Sequence, residues 1–134
     1  MKDVVHTSGK RKTAIARATV RSGKGTVRVN KKLIDTFQPK LARLKILEPL
    51  MLAEALSQKV DIDLNVNGGG VMSQAEAGSL AISRALVQFS KDEKLEKAFL
   101  KYDRRLLVAD VRRKETHKPN SHGRARAKRQ KSYR

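Results

Sequence analysis

Residues 60–86 read VDIDLNVNGGGVMSQAEAGSLAISRAL, and this stretch decides the fold class. Its first eight residues alternate between apolar and polar side chains, which predicts a β-strand with one buried and one exposed face. Three glycines at 68–70 end the strand, because glycine adopts backbone angles that other residues rarely reach. The following residues predict a slim helix from Ser73 to about Phe89, whose large apolar side chains recur every three or four positions. A strand followed by a helix that can cover it indicates an α+β fold.

Two more strands are predicted on the N-terminal side. Residues 13–21 are rich in β-branched side chains, and residues 26–30 alternate in the same way as the first strand, with Arg28 between two valines. The Gly-containing segment 22–25 between them is typical of a turn, so the sequence predicts a β-hairpin. The period of two gives the first of these strands two different faces. The polar face is formed by Arg17, Thr19 and Arg21, and the apolar face is formed by Ala16, Ala18 and Val20.

Helices are predicted before and after the central strand. Residues 39–55 predict a helix that Pro49 should kink or end early. Two capping-box patterns, in which a serine precedes a glutamate by three residues, begin at Ser73 and Ser90. The second box predicts a shorter helix that runs to about Tyr102.

The last part of the chain changes in composition. Residues 106–111 predict a final strand, and from residue 112 onward there is no Leu, Ile, Val, Met or Phe. Such a segment cannot bury enough apolar area to offset its ordering entropy, so we expect it to be disordered when unbound. The sequence therefore predicts one α+β domain over 1–111 and an extended basic tail over 112–134.

The charge is concentrated at the two ends of the 134-residue chain. There are 31 Lys and Arg against 13 Asp and Glu, for a net charge of +18. Residues 1–32 hold ten Lys or Arg against Asp3, which gives +9, and residues 33–111 are neutral with eleven of each sign. Residues 112–134 again hold ten Lys or Arg against Glu115, which gives +9. Two cationic segments around a neutral middle indicate a polyanion-binding protein.

Composition argues against several other classes. The absence of cysteine removes disulfides, cysteine-based zinc sites and a cysteine nucleophile, and it favours a reducing compartment such as the cytoplasm. No basic-plus-apolar stretch near the start resembles a secretory signal. No run approaches the ~18 apolar residues that a membrane span needs, so we expect no membrane partner.

An enzyme remains an alternative with little support. Asp61 and Asp63 lie two residues apart on one strand face, as a pair of catalytic or metal-binding carboxylates would, but the solvent face of an amphipathic strand explains them better. The glycine run lacks the remaining glycine of a dinucleotide-binding loop, and no phosphate-binding loop motif occurs. His6, His117 and His122 are scattered. We therefore expect neither a catalytic residue nor a metal or other cofactor.

Nucleic acid is the favoured polyanion. The tail cations would repel one another without an anionic partner, and small residues between them allow close approach to a phosphate backbone. An anionic membrane surface or a nuclear-import signal would also explain a basic run. A structured RNA suits the tail better than duplex DNA, since a folded RNA offers channels between its helices. A DNA-compacting protein stays open as an alternative.

Three motifs resemble one family of ribosomal proteins. The most specific motif spans residues 68–86, with GGGVMSQ at its start and SRAL at its end. Together with GKRKTAIAR at 9–17 and the ending KSYR at 131–134, it resembles the family of the ninth protein of the small ribosomal subunit. The segment HKPN at 117–120 and the KSYR ending resemble the archaeal and eukaryotic type of that family.

The resemblance implies a fold and a set of partners. The fold would be a four-stranded sheet with helices packed on one side, as in the second domain of the fifth protein of the small subunit. The partners would be small-subunit ribosomal RNA in the head, the P-site tRNA and neighbouring small-subunit proteins. The tail would reach toward the anticodon loop of that tRNA.

The resemblance and the charge pattern together give the candidate site residues. The RNA-binding set in the domain is Lys10, Arg11, Lys12, Arg17, Arg21 and Arg28. The RNA-binding set in the tail is Arg112, Arg113, Lys114, Lys118, Arg124, Arg126, Lys128, Arg129 and Lys131. By the resemblance, contact with the P-site tRNA falls on Lys131, Tyr133 and Arg134.

Overall fold

A computed structural model of the chain describes residues 4–119 and 124–126. These residues contain five strands and four helices, with two further single turns of 3-10 helix at Ile34–Thr36 and Arg104–Leu106. In chain order the elements are β1 (Val4–Arg11), β2 (Ala14–Ser22), β3 (Val27–Val29), β4 (Lys32–Leu33), α1 (Lys40–Leu52), α2 (Glu54–Ser57), β5 (Val60–Asn67), α3 (Val71–Ser90) and α4 (Glu93–Tyr102).

The strands form one mixed sheet in the order β1-β2-β5-β3-β4. β3 runs parallel to β5, and the other neighbouring pairs are antiparallel. The α+β class is confirmed, and α3 packs against β1, β2 and β5 on one side of the sheet, with α1 packed on α3. The expectation of four strands is wrong, because the two-residue strand β4 pairs with the edge of β3.

The predicted hairpin of the second and third strands is also wrong. β2 pairs with β1 through a turn at residues 12–13, and β5 lies between β2 and β3. The glycines that suggested a hairpin turn bind the backbone where β5 begins: the Gly23 amide donates to the carbonyl of Lys59, just before the strand, at 2.9 Å, and the Gly25 amide donates to the Val60 carbonyl at 3.1 Å. The connection therefore crosses the start of β5, and β3 pairs with the far side of that strand.

Small residues allow α3 to lie very close to the sheet. Every second residue of β2 points toward the helix, and its buried residues Ala14, Ala16 and Ala18 leave room for the helix backbone. On β1, a Cβ added to Gly9 would lie 2.2 Å from the Ala77 carbonyl oxygen. The prediction of a slim helix suited to close packing is confirmed.

The helix starts differ from the predicted capping boxes. α3 begins at Val71 after Gly70, so Ser73 lies within the first turn and caps nothing. The Gln74 side chain instead donates to the Gly68 carbonyl at 3.0 Å. α4 is capped by Asp92, whose carboxylate accepts from the Lys94 amide at 2.9 Å.

Two other predictions are corrected near the helices. The helix predicted for residues 39–55 continues through Pro49 and ends at Leu52, and the four-residue α2 follows it. Residues 106–111 form no strand, because Leu106 ends a turn of 3-10 helix and is buried in the core. The Leu107 carbonyl accepts a hydrogen bond from the Arg84 side chain and not from a neighbouring strand.

Candidate nucleic-acid interface

The face of the sheet opposite α3 is open, and we call it the open face. It carries the outward side chains of β1, β2, β3 and β5, most of which are polar or charged. A shallow concavity of about 1090 Å³ runs across it. Side chains on the open face include His6, Ser8, Lys10, Arg17, Thr19, Arg21, Arg28, Asp61, Asp63, Asn65 and Asn67. The predicted separation of a basic face from an apolar face of β2 is confirmed.

Arg17 and Arg28 are the exposed guanidinium groups in the concavity. Arg17 lies opposite Ser8 on one side and Asn65 on the other. Arg28 lies opposite Asp63 in the parallel pair, yet the Asp63 carboxylate binds Arg21. Among residues 4–119 and 124–126, neither Arg17 nor Arg28 forms an ion pair, so both can accept an external anion.

The two carboxylates of β5 have structural partners. Asp63 Oδ2 lies 3.0 Å from Arg21 Nη2 in an exposed ion pair. Asp61 accepts from the backbone amides of Lys24 at 2.9 Å and Thr26 at 3.0 Å. These two amide donors hold the pKa of the Asp61 carboxyl below its ordinary value. Within the described residues, no group of three or more metal-ligating side chains comes together.

Neutral hydrogen-bonding groups, which are not among the site residues predicted from the sequence, complete the open face. The His6 ring and the Thr19 hydroxyl lie 3.0 Å apart, and the amides of Asn65 and Asn67 are exposed further along the same face. Hydroxyl and amide groups of this kind contact phosphate and sugar oxygens in nucleic-acid complexes. The alternation of β5 could have placed both asparagines on this face.

The basic run at residues 10–12 is divided by the fold. Lys10 is exposed on the open face, and Lys12 lies in the turn to β2 with a φ of 54°. Arg11 points to the opposite side, where Nε donates to Glu76 at 2.6 Å and Nη1 lies 3.1 Å from Asp110. The structure therefore brings Lys10 together with Arg17 on one face and separates Arg11 from them.

The tail cations that the structure describes fall into two groups. Lys114, Lys118 and Arg124 are exposed. Arg112, Arg113 and Arg126 are held by other groups of the chain: Arg112 binds Asp110, Arg113 donates to the carbonyl of Lys12, and Arg126 binds Glu115. The other predicted contacts lie outside the described residues, namely Lys128, Arg129, Lys131, Tyr133 and Arg134.

A helix-backed sheet with an open cationic face is typical of a nucleic-acid-binding protein. The model of one family, described as Ribosomal protein S9/S16, matches residues 9–134. The chain belongs to this family. It is therefore a structural protein of the small ribosomal subunit that serves translation, and its family is not one of enzymes.

Two curated relatives support the same assignment along nearly the whole chain. Both are described as "Small ribosomal subunit protein uS9" and come from strains of Methanococcus maripaludis. One is 49% identical over 132 residues and the other is 52% identical over 133 residues, each covering 98% of both chains. The family resemblance in the sequence is thus confirmed. None of the helices in the described part of the chain is long and apolar enough to cross a membrane.

Proposed function

We propose that this protein binds small-subunit ribosomal RNA in the head of the subunit through its open face and its basic tail. The observation that carries the proposal is the division of the sheet: α3 covers one face, and the other presents Lys10, Arg17 and Arg28 to solvent. The proposed partners are ribosomal RNA, neighbouring small-subunit proteins and the P-site tRNA.

The arrangement of cations on the open face suits a phosphate backbone. β2 and β3 lie about 10 Å apart on either side of β5, with Arg17 opposite Asn65 and Arg28 opposite Asp63. The Asn65 and Thr19 side chains between and beside them can donate to phosphate or ribose oxygens. Phosphate contacts of this kind fix the orientation of the protein on RNA without reading its sequence.

Some of the predicted RNA contacts require a change of partner. Arg21 binds Asp63, and Arg11 binds Glu76 and Asp110, so each would have to release a carboxylate before it could bind a phosphate. Lys10, Lys12, Arg17 and Arg28 are not engaged in ion pairs within the described residues. We therefore assign the initial contacts between the domain and the RNA to these four residues.

The end of the tail is assigned to the P-site tRNA. Family membership supports this assignment, because the ending KSYR resembles the C-terminus of that family. Arg134 and Tyr133 would contact the anticodon loop, with Lys131 close behind. Arginine can bind a phosphate through two parallel hydrogen bonds or stack on a base, and tyrosine can also stack.

The salt dependence of RNA binding tests the open face. The double substitution Arg17→Gln and Arg28→Gln removes two charges, and we expect it to reduce the slope of log K against log salt by about 1 to 2. The matched control, Lys94→Gln with Lys101→Gln, removes two exposed charges of α4 on the helix side. The slope should be measured with a small-subunit RNA fragment that contains the head. Equal effects of the two pairs would contradict the proposal, and equal binding of duplex DNA at physiological salt would favour the DNA-compacting alternative.

A further inference from the structure

The residues that precede the tail are tied to the domain at several points. Arg84 donates from Nε to the Leu107 carbonyl and from Nη1 to the Ser8 carbonyl, each at 3.0 Å, so one side chain joins α3, β1 and the segment after α4. Three residues further on, Asp110 lies beside Arg11 at the end of β1. These contacts hold residues 107–110 along the edge of the domain.

Asp110 is the centre of a charged network. Its carboxylate accepts from Arg112 through Nε at 3.0 Å and Nη2 at 2.6 Å, and from the Arg112 backbone amide at 2.9 Å. Its Oδ2 also lies 3.1 Å from Nη1 of Arg11 in an ion pair that lacks hydrogen-bond alignment. Arg11 in turn donates to Glu76 of α3 at 2.6 Å.

The Arg11–Asp110 contact at the centre of the network is more shielded from water than the exposed Arg21–Asp63 pair, whereas the side chains of Glu76 and Arg112 are 40% and 70% exposed. The side chains of Arg11 and Asp110 are 18% and 15% exposed, whereas those of Arg21 and Asp63 are 49% and 43% exposed. Exposed pairs contribute little because water screens them, and partial burial strengthens the attraction. The hydrogen bonds from Arg112, and then the charge of Arg11, hold the pKa of Asp110 well below its usual range.

We propose that Arg11, Glu76, Asp110 and Arg112 form a latch that fixes the direction in which the basic tail leaves the domain. Arg113 adds to it by donating to the carbonyl of Lys12, so the chain leaves beside the turn between β1 and β2. A fixed exit reduces the number of tail conformations that RNA binding must order. Arg11, Glu76 and Asp110 are then positioning residues, and their role in RNA affinity rests on the proposed function.

Distance measurements on the full-length free protein test the latch without RNA. Because the sequence has no cysteine, the pair Gln88→Cys and Lys114→Cys takes spin labels on α3 and just beyond the latch. In this labelled protein, Asp110→Asn should at least double the width of the distance distribution, and Asp110→Glu, which keeps a carboxylate, should restore much of the narrow distribution. Asp63→Asn, which removes an exposed pair on the open face, should leave the width unchanged. An unchanged width in Asp110→Asn would overturn the latch.

A second variant covers the case in which Asp110→Asn does not fold. Glu76→Gln removes the charge of the second carboxylate that binds Arg11. This variant should broaden the same distance distribution by a smaller amount than Asp110→Asn does. Urea unfolding of each variant shows whether the domain itself is intact.

RNA affinity separates positioning from simple electrostatics. Asp110→Asn raises the net charge, so an electrostatic effect alone would strengthen RNA binding. A positioning role predicts affinity about three- to tenfold weaker, even though the substitution frees Arg11 and Arg112 to bind phosphates. Tighter binding would overturn the positioning role. The two proposals can fail separately. If Arg17→Gln with Arg28→Gln leaves the salt slope unchanged while Asp110→Asn broadens the distance distribution, the latch is supported and the proposed RNA contacts of the open face are rejected.

Discussion

Gly9 lies directly against the backbone of α3 at Ala77, where a Cβ on the glycine would be 2.2 Å from the Ala77 carbonyl oxygen and 2.9 Å from the Ala81 nitrogen. Both of these atoms belong to the helix backbone, which cannot rotate away as a side chain can. The contact sets the distance between β1 and α3, and with it the position of the open face relative to the core.

Gly9→Ala should therefore destabilise the domain. The added methyl group forces α3 away from β1, and overpacking of this kind costs about 1–3 kcal/mol. The free energy of unfolding in urea measures the effect. The control is Gly70→Ser: nothing lies within 4 Å of the added Cβ, and serine is favoured at a helix N-cap, so stability should stay equal or rise by a few tenths of a kcal/mol. If Gly9→Ala had the same free energy of unfolding as the unsubstituted protein, β1 and α3 could move apart without loss of stability, and the prediction would be wrong.

Asp61 should make the domain less stable in acid. Its pKa is lowered in the folded state by the Lys24 and Thr26 amides, so its contribution is present above the ordinary value of 3.8 and is lost as the pH falls through the folded value. Asp61→Asn should remove this part of the pH dependence, because asparagine keeps an acceptor oxygen but does not titrate. Unfolding in urea across the pH range from about 2 to 5, which includes the ordinary value and the region below it, measures the effect. Asp63→Asn leaves the Asp61 carboxyl in place, so the part of the pH dependence of stability that Asp61 causes should remain.

The tail should supply a large part of the salt dependence of RNA binding. If about six of its cations meet phosphates, the tail alone accounts for a slope of about −4 to −5 in log K against log salt. A protein shortened after Arg113 keeps the latch and the core and should show a correspondingly flatter slope. Circular dichroism should confirm the same helix content. A slope equal to that of the full chain would exclude the tail from the interface.

Arg134 should act on the P-site tRNA more than on assembly. Loss of one charged hydrogen-bonding group should weaken tRNA retention by about 1–3 kcal/mol, while incorporation into small subunits stays close to normal. The dissociation rate of tRNA from assembled subunits measures the effect when Arg134 is deleted. Ser132→Ala serves as a neighbouring control that keeps the charge. Normal tRNA retention without Arg134 would reject the anticodon-loop assignment.

Local patterns predicted the faces of the strands well. In β2 and β5 the polar and apolar side chains alternate, and the structure places Arg17, Arg21, Asp61 and Asp63 on the open face as the alternation requires. The reason is that side-chain direction in a strand depends only on its period of two. The same rule explains why Arg11 does not act with Lys10: adjacent residues of β1 face opposite sides.

Strand pairing could not be read from the same patterns. The glycines at 23 and 25 have the composition of a hairpin turn, yet their amides bind the backbone of Lys59 and Val60, where β5 begins. The start of α3 was misplaced for a different reason: Ser73 has the spacing of a capping box, but the glycine run already allows α3 to begin at Val71. The first error arose from hydrogen bonds to a distant part of the chain, and the second arose from a competing signal in neighbouring residues.

The sequence by itself determined the two +9 segments, the faces of the strands and membership in the ribosomal family, since charge, period and motif are properties of neighbouring residues. Only the tertiary structure decided which cations remain available. Arg17 and Arg28 are unpaired within the described residues, whereas Arg11 is held by Glu76 and Asp110. An ion pair depends on the distance between two charges in space, and the fold brings residues from the two ends of the domain within about 3 Å.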